Sequence, residues 1–257
     1  MTDRFFERSL RLQARTAGAL YLIITITALF TELVVRGRLI VKGDAAATAA
    51  SILAHEPLWR LGGVAIFLTL ACDVAVAILL YPLLEPASKT LSLLAASFRL
   101  AYAAIMGAAA LHYFTPLNLL KGAGHLGVFS VPQLQAMALE SQRLYSQGFT
   151  LALVFFGVHC VFVGWLIRRS TFLPRVLGTL MVIAGCCYVA NSFAVFIAPQ
   201  FARPLFPWIL LPAFPAELGL TLWLLVKGVD VQRWNEQAGT TARSLFERSA
   251  TTPSDAG

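Results

Sequence analysis

Residues 155–169, FFGVHCVFVGWLIRR, end an apolar run at a pair of arginines. The run begins near residue 148, so it holds about 20 residues, enough for a helix to cross a hydrocarbon core of about 30 Å. One ionisable side chain, His159, lies well inside it. The segment therefore predicts a transmembrane helix with a titratable ring in its interior and positive charge at its inner end.

The composition of the whole chain also indicates an integral membrane protein. The 257 residues are 58% hydrophobic and 13% charged, with a mean hydropathy of +0.73, whereas soluble domains are roughly 45–50% apolar and about 25% charged. Six apolar stretches are long enough to cross a bilayer, at about residues 17–36, 58–84, 91–118, 148–167, 174–198 and 205–227. We predict an all-α, polytopic bundle of six transmembrane helices. Its parts are a basic tail (1–16), a six-span domain (17–228) and a polar, largely disordered tail (229–257).

The positions of lysine and arginine predict the orientation of the bundle. With the N-terminus inside, twelve of these residues fall on the cytoplasmic side and seven on the outer side. This excess favours both termini in the cytoplasm. The net charge of +7 then reflects topology and attraction to anionic membrane lipid. No basic groove with interleaved aromatic residues indicates nucleic-acid binding.

Two segments between spans predict short amphipathic helices on the outer side. In residues 43–56, Asp44 is a suitable N-cap before a run of strong helix formers. Residues 130–145 begin with capping-box spacing, SVPQ, and continue with an apolar stripe. We expect both helices to lie at the headgroup level or over the mouth of the bundle.

The sixth span contains two prolines, Pro212 and Pro215. Proline removes a backbone donor and clashes with the preceding turn of a helix. We therefore expect a kink just before Glu217.

Four ionisable side chains from four spans share one depth. Counted from the inner ends of their helices at about 1.5 Å per residue, Asp73, Arg99, His159 and Glu217 each lie roughly 13–18 Å from the inner boundary. Ionisable groups in a membrane are costly and generally face the bundle interior and one another. These four residues therefore predict a buried midplane site for a small ligand or a proton.

Each of the four has an expected role. Arg99 stays charged and would anchor an anion, with Asp73 as its counter-ion. His159 and Glu217 would share the remaining charge and exchange a proton. Two alternatives stay open: Asp73 and Arg99 as a purely structural ion pair, and His159 as a hydrogen-bonded ring that does not titrate.

We predict no cofactor and no metal. A haem bound by His112 and His159 would need both rings close to its iron, but their heights differ by about 16 Å. Zinc could take Asp73, His159 and Glu217 as ligands, yet the charge of Arg99 at the same level would repel it. The four cysteines all fall inside spans, as expected of apolar packing rather than a disulfide framework.

A looser polar set lies nearer the outer face and comprises Glu32, His112 and Asn191. Ordinary solvation at the membrane interface is one explanation. The alternative is a polar path from the outer face to the midplane site.

Two stretches carry a resemblance to a known family. They are residues 37–62, GRLIVKGDAAATAASILAHEPLWRLG, and residues 154–193, VFFGVHCVFVGWLIRRSTFLPRVLGTLMVIAGCCYVANSF. Over about residues 10–228 the chain resembles the DUF4386 family of uncharacterised six-span bacterial membrane proteins. The resemblance implies one integral domain in a bacterial cytoplasmic (inner) membrane, and it implies no activity. Where similar sequences often have an acidic residue before the Ser-Phe of the fifth span, this chain has Asn191, which argues against an acidic outer site.

The predicted function is binding of a small ligand or a proton, with translocation or sensing as its extension, and we favour a non-enzymatic role. One alternative is an intramembrane enzyme, a metal-dependent hydrolase or a redox protein, that acts on a lipid-soluble substrate. Another is a structural or assembly protein without a site.

Overall fold

The computed structural model describes residues 2–122, 126–205 and 208–250, including their side chains except those of 2–8, 203–205 and 242–250. Every regular element in these ranges is a helix, and six of the helical segments are long and apolar enough to cross a membrane. The predicted all-α, multi-pass membrane protein with six spans is confirmed. In chain order the α-helices are α1 (Thr2–Leu29), α2 (Gly37–Leu39), α3 (Ala45–Ala54), α4 (Glu56–Leu84), α5 (Lys89–Leu120), α6 (Val131–Arg169), α7 (Arg175–Ile197), α8 (Pro199–Leu205), α9 (Ala213–Val226) and α10 (Val231–Ala250).

The first and sixth spans are composite. A π-helical segment, Phe30–Arg36, joins α1 to α2, so that the first span runs continuously over Ser9–Leu39. The sixth span, Trp208–Val226, starts with a 3₁₀ turn and continues as α9. Because the number of spans is even, α1 begins on the same face of the bundle that carries α10. This face is called the inner face below, and the opposite one the outer face.

The six spans form a closed ring. Helices α1, α4, α5, α6 and α7 each pack against the next of these in the chain, and α9 packs against both α7 and α1. The α1–α9 contact is closest in the inner half, where a Cβ atom on Gly18 would lie 2.5 Å from the backbone nitrogen of Leu225. Each span therefore presents one face to a common interior.

The first of the two predicted outer helices forms as a separate element. Helix α3 begins after Asp44, whose side chain accepts a hydrogen bond from the Ala47 N–H at 2.8 Å. It buries Thr48, Ala49 and Ile52 and packs against α5 and α6.

The second predicted outer helix is not separate, and that part of the prediction is wrong. Residues 131–145 are the outer end of α6, which continues without a break to Arg169. Gln142 of this segment binds the protein, because it is buried and its Nε2 donates to the carbonyl oxygen of His112 in α5 at 2.9 Å, whereas Glu140 and Arg143 are exposed. Packing on α5 thus holds the helix together where its composition turns polar.

Glycines bring α6 and α7 into backbone contact. A Cβ atom on Gly157 would lie 2.7 Å from the carbonyl oxygen of Gly185, and one on Gly164 would lie 2.5 Å from that of Gly178. Small residues that allow such close approach are typical of helix pairs in lipid. This pairing fixes the rotation of α6, and with it the direction of His159.

The expected proline break in the sixth span is present. Residues Trp208–Leu210 form a 3₁₀ turn, and α9 begins at Ala213 directly after Pro212. Glu217 therefore lies in the second turn of a helix that starts within the membrane.

The expectation of a largely disordered tail from residue 229 fails for Val231–Ala250, which is helical. Helix α10 is tied to the inner loops of the bundle: the Trp234 indole donates to the carbonyl oxygen of Leu83 at 2.9 Å, and the Thr241 hydroxyl donates to that of Pro86 at 3.0 Å. The polar composition of this segment does not reveal these two hydrogen bonds. Residues 251–257 of the predicted tail lie outside the described residues.

Candidate functional site

Arg99 is the centre of a buried polar network. Its Nη2 donates to Oδ1 of Asp73 at 2.6 Å, and its Nη1 donates to the Tyr21 hydroxyl at 2.5 Å and lies 3.1 Å from Nε2 of His159. The Arg99 side chain is 0% exposed and that of Asp73 is 1% exposed. The guanidinium also stacks on the ring of Tyr21, with 4.3 Å between its Cζ and the ring centroid. Four spans, the first to the fourth, thus meet at one cation.

His159 uses both ring nitrogens in this network. Nδ1 lies 2.8 Å from the carbonyl oxygen of Ala95, and Nε2 faces Arg99. Arginine has no acceptor atoms, so the geometry assigns the neutral tautomer that donates from Nδ1 and accepts at Nε2. The ring joins α6 to α5 at two points.

Glu217 has a different partner. The Tyr188 hydroxyl in α7 donates to Oε1 of Glu217. Among the described residues no hydrogen bond joins Glu217 to His159, and no lysine or arginine forms an ion pair with Glu217. The described residues therefore contain no hydrogen bond through which His159 and Glu217 could exchange a proton directly.

Asp73 and Glu217 line a shared cavity inside the ring, which we call the chamber. Its volume is about 260 Å³, and all six spans contribute to its wall. The wall is mainly apolar and aromatic, with Tyr102, Phe149 and Phe156 among its residues. Oδ2 of Asp73 is buried and has no hydrogen-bond partner within the described residues.

The chamber is partly open toward the lipid-facing side. Leu29 in α1 and Phe214 in α9 line it and are 43% and 53% exposed. The inner halves of these helices are in close contact at Gly18, so the gap between them lies in their outer halves. Toward the inner face, the space beside His159 has no room for a water molecule.

A smaller cavity of about 70 Å³ adjoins the chamber toward the outer face and shares Ala28, Tyr102 and Phe149 with it. Glu32 lines this smaller cavity. Its carboxylate accepts from Arg36 at 2.6 Å and from the Tyr145 hydroxyl at 3.3 Å.

The other two residues of the predicted outer path lie elsewhere. Neither His112 nor Asn191 lines either cavity. The carbonyl oxygen of His112 accepts from Gln142, and the Asn191 side chain is buried in α7 with no partner for Oδ1 among the described residues. Of the predicted set, Glu32 alone lines one of the two cavities.

The structure thus joins three of the four predicted midplane residues by hydrogen bonds and places the fourth, Glu217, on a wall shared with Asp73. It also corrects the role of Arg99, which does not line the chamber and whose terminal nitrogens already have partners. Nε of Arg99 has no hydrogen-bond partner among the described residues, but it is buried, and Arg99 is not part of the chamber wall. Two of the zinc ligands considered above are also engaged, because Arg99 donates hydrogen bonds to Oδ1 of Asp73 and to Nε2 of His159.

Sequence reasoning missed the tyrosines of the site, Tyr21, Tyr102 and Tyr188. Tyr21 binds Arg99, Tyr188 binds Glu217, and Tyr102 lines both cavities. The available signal was their position: tyrosine is favoured at membrane interfaces, so tyrosines in the middle of spans indicate polar partners inside the bundle.

Comparisons with known proteins cover most of the chain. The family model described as Domain of unknown function (DUF4386) matches residues 16–228, a range that includes every residue of the site. The chain is 30% identical over 165 residues to an uncharacterized protein of Archaeoglobus fulgidus, in a match that covers 64% of this chain and 82% of that protein. No solved structure matches the chain. This multi-pass membrane protein belongs to the DUF4386 family.

Proposed function

We propose that the protein binds a small ligand in the chamber, and that Glu217 carries a proton when the ligand is absent. The observation that carries this proposal is a cavity walled by six spans in which a carboxyl group, Glu217, has no cationic partner among the described residues. Glu217 is partly buried, and an ionised carboxylate without a cationic partner is costly in the middle of a span. Either a proton or a ligand must therefore meet the charge requirement of this group.

The remaining polar residues have supporting roles in this proposal. Arg99 holds Asp73 in place, and His159 in turn holds Arg99. Tyr188 orients Glu217. The route past Glu32 and the gap between α1 and α9 provide access from the outer face and from the lipid.

The orientation in the cell belongs to the same proposal. We place the protein in a bacterial cytoplasmic (inner) membrane, and the excess of lysine and arginine on one side supports an orientation with both termini in the cytoplasm. In that orientation the chamber is accessible from outside and closed toward the cytoplasm.

Infrared difference spectroscopy over a pH titration tests the proton. The wild type should show a carboxylic C=O band that changes with pH, and Glu217→Gln should lose it. Glu140→Gln is the matched control, because Glu140 is exposed and paired with Arg143 at 3.1 Å. A wild-type spectrum without this band at any pH, or a band that persists in Glu217→Gln, would contradict the proposal.

The groups that face Glu217 bear on how this titration is interpreted. They come from all the neighbouring helices and comprise Tyr21 in α1, Asp73 in α4, Arg99 and Tyr102 in α5, Cys160 in α6 and Tyr188 in α7. Asp73 is the one other carboxyl group among them. Asp73→Asn therefore distinguishes its band from that of Glu217.

A further inference from the structure

We infer that the ligand of the chamber is a small organic cation, an alkylammonium or a related amine. This inference rests on the proposed function and specifies the chemistry of its ligand.

The first argument is the net charge of the chamber wall and of the Arg99 network beside it. Asp73 and Arg99 form an ion pair at 2.6 Å and cancel, and the hydrogen bonds of His159 assign it the neutral form. Glu217 is then left as the one carboxyl group without a compensating charge. No lysine, arginine or histidine is part of the described chamber wall. A ligand that displaces the proton of Glu217 must therefore bring one positive charge.

The second argument is the hydrogen-bonding capacity of the wall. Oδ2 of Asp73 has no partner within the described residues, and the Asp73 side chain is 1% exposed. An ionised carboxylate is an acceptor with several lone-pair positions. A ligand that meets this demand donates hydrogen bonds, as an ammonium group does and as an ionised carboxylate cannot.

The third argument separates an organic cation from a metal ion. Cations such as calcium and magnesium require about six oxygen ligands, whereas most of the chamber wall consists of carbon. The wall instead presents aromatic rings, including Phe149, Phe156 and Phe214. Aromatic faces attract ammonium groups through their quadrupoles, and apolar walls accept the alkyl part of such a ligand.

Size and access agree with this class. A volume of about 260 Å³ lies slightly below the range of about 300–1,000 Å³ usual for drug-sized ligands, so the ligand is small. The rim formed by Leu29 and Phe214 lies on the lipid-facing side. An amine with a short alkyl chain partitions into lipid and can enter by this gap.

Three probes of nearly equal shape test the inference: n-butylammonium, butan-1-ol and butyrate. Calorimetric titration of the purified protein in an uncharged detergent should give an affinity for n-butylammonium about tenfold higher than that for butan-1-ol, because a hydrogen bond to a charged group is about twice as strong as a neutral one. Butyrate should bind least. Equal or tighter binding of butan-1-ol or butyrate would overturn the inference.

Two further measurements keep the test independent of any single variant. Glu217→Gln should lower the affinity for n-butylammonium about tenfold and leave that for butan-1-ol unchanged, while Glu140→Gln changes neither. In the wild type, n-butylammonium should reduce the carboxylic band of Glu217 in the infrared spectrum. If the band titrates with pH but n-butylammonium leaves it unchanged, the cation inference fails while the protonation of Glu217 stands. If no band titrates, the proposed function itself fails.

Discussion

Nη1 of Arg99 lies 3.1 Å from Nε2 of His159, and the other nitrogen of that ring, Nδ1, lies 2.8 Å from the carbonyl oxygen of Ala95. Both bonds need the neutral ring, because Arg99 can only donate and Ala95 offers a carbonyl oxygen. The residue that looked most suited to titration from the sequence instead holds the arginine in place. This relationship moves the expected charge change from His159 to Glu217.

Replacement of His159 by phenylalanine should destabilise the protein by about 2–4 kcal/mol, because it leaves a buried N–H group of Arg99 without its acceptor and removes the hydrogen bond to the carbonyl oxygen of Ala95. His159→Gln should cost less, since an amide supplies both a donor and an acceptor. Reversible unfolding in mixed detergent micelles measures both. The control is His55→Gln, at an exposed site. Equal stability of the phenylalanine variant and the wild type would contradict the network.

The Asp73–Arg99 pair should behave as a strongly coupled unit. Asp73→Asn or Arg99→Met alone should lower the free energy of unfolding by about 3–5 kcal/mol, because each leaves one buried charge uncompensated. The double variant should lose much less than the sum of the two. The matched control is the cycle on the exposed pair Glu140 and Arg143, where the coupling should stay below about 1 kcal/mol. Additive losses for the buried pair would count against direct contact.

Alanine at Gly164 should separate α6 from α7. An added Cβ atom would lie 2.5 Å from the carbonyl oxygen of Gly178, and overpacking of this kind typically costs about 1–3 kcal/mol. Gly107→Ala in α5 is the control, since its nearest neighbour outside the helix would be Leu70 Cδ1 at 4.0 Å. Thermal unfolding of the two variants should show a lower midpoint for Gly164→Ala only. A similar lowering at both positions would contradict the contact, because alanine favours a helix more than glycine does.

Helix α10 should detach when its anchor is removed. Trp234→Ala deletes the hydrogen bond to the carbonyl oxygen of Leu83 and the packing of the indole on the bundle. We expect limited proteolysis to cleave after residue 229 faster in this variant than in the wild type. Gln232→Ala is the control, because the Gln232 side chain donates to Glu236 within α10 itself. Unchanged cleavage of Trp234→Ala would mean that other contacts hold the helix.

The meeting of Asp73, Arg99 and His159 was predictable because height along a membrane helix can be counted from its ends. The turn between α4 and α5 holds only residues 85–88, so Asp73 and Arg99 come level in an antiparallel hairpin. Counting gives height but not rotation about the helix axis. For that reason, counting predicted the depth of Glu217 but did not identify Tyr188 as its hydrogen-bond partner.

Other features depend on tertiary contacts, which a hydropathy pattern does not predict. The outer part of α6 has an amphipathic pattern that fits an interfacial helix equally well, and tertiary contacts such as the bond from Gln142 to α5 decide between the two. The polar composition of α10 suggests disorder, whereas its order comes from bonds to the loops at Leu83 and Pro86. In both cases tertiary partners outweigh local composition.

The π-helical segment Phe30–Arg36 lies between two parts of the first span with different attachments. The inner part is held at Tyr21 by Arg99, and the segment itself carries Glu32 and Arg36 at the smaller cavity. A π-helical turn contains one residue more per hydrogen-bonded ring than an α-helical turn, so its conversion to α-helix rotates the chain beyond it by about 100°. The π-helical segment therefore sets which side chains the outer part of the first span turns toward the smaller cavity, Glu32 among them.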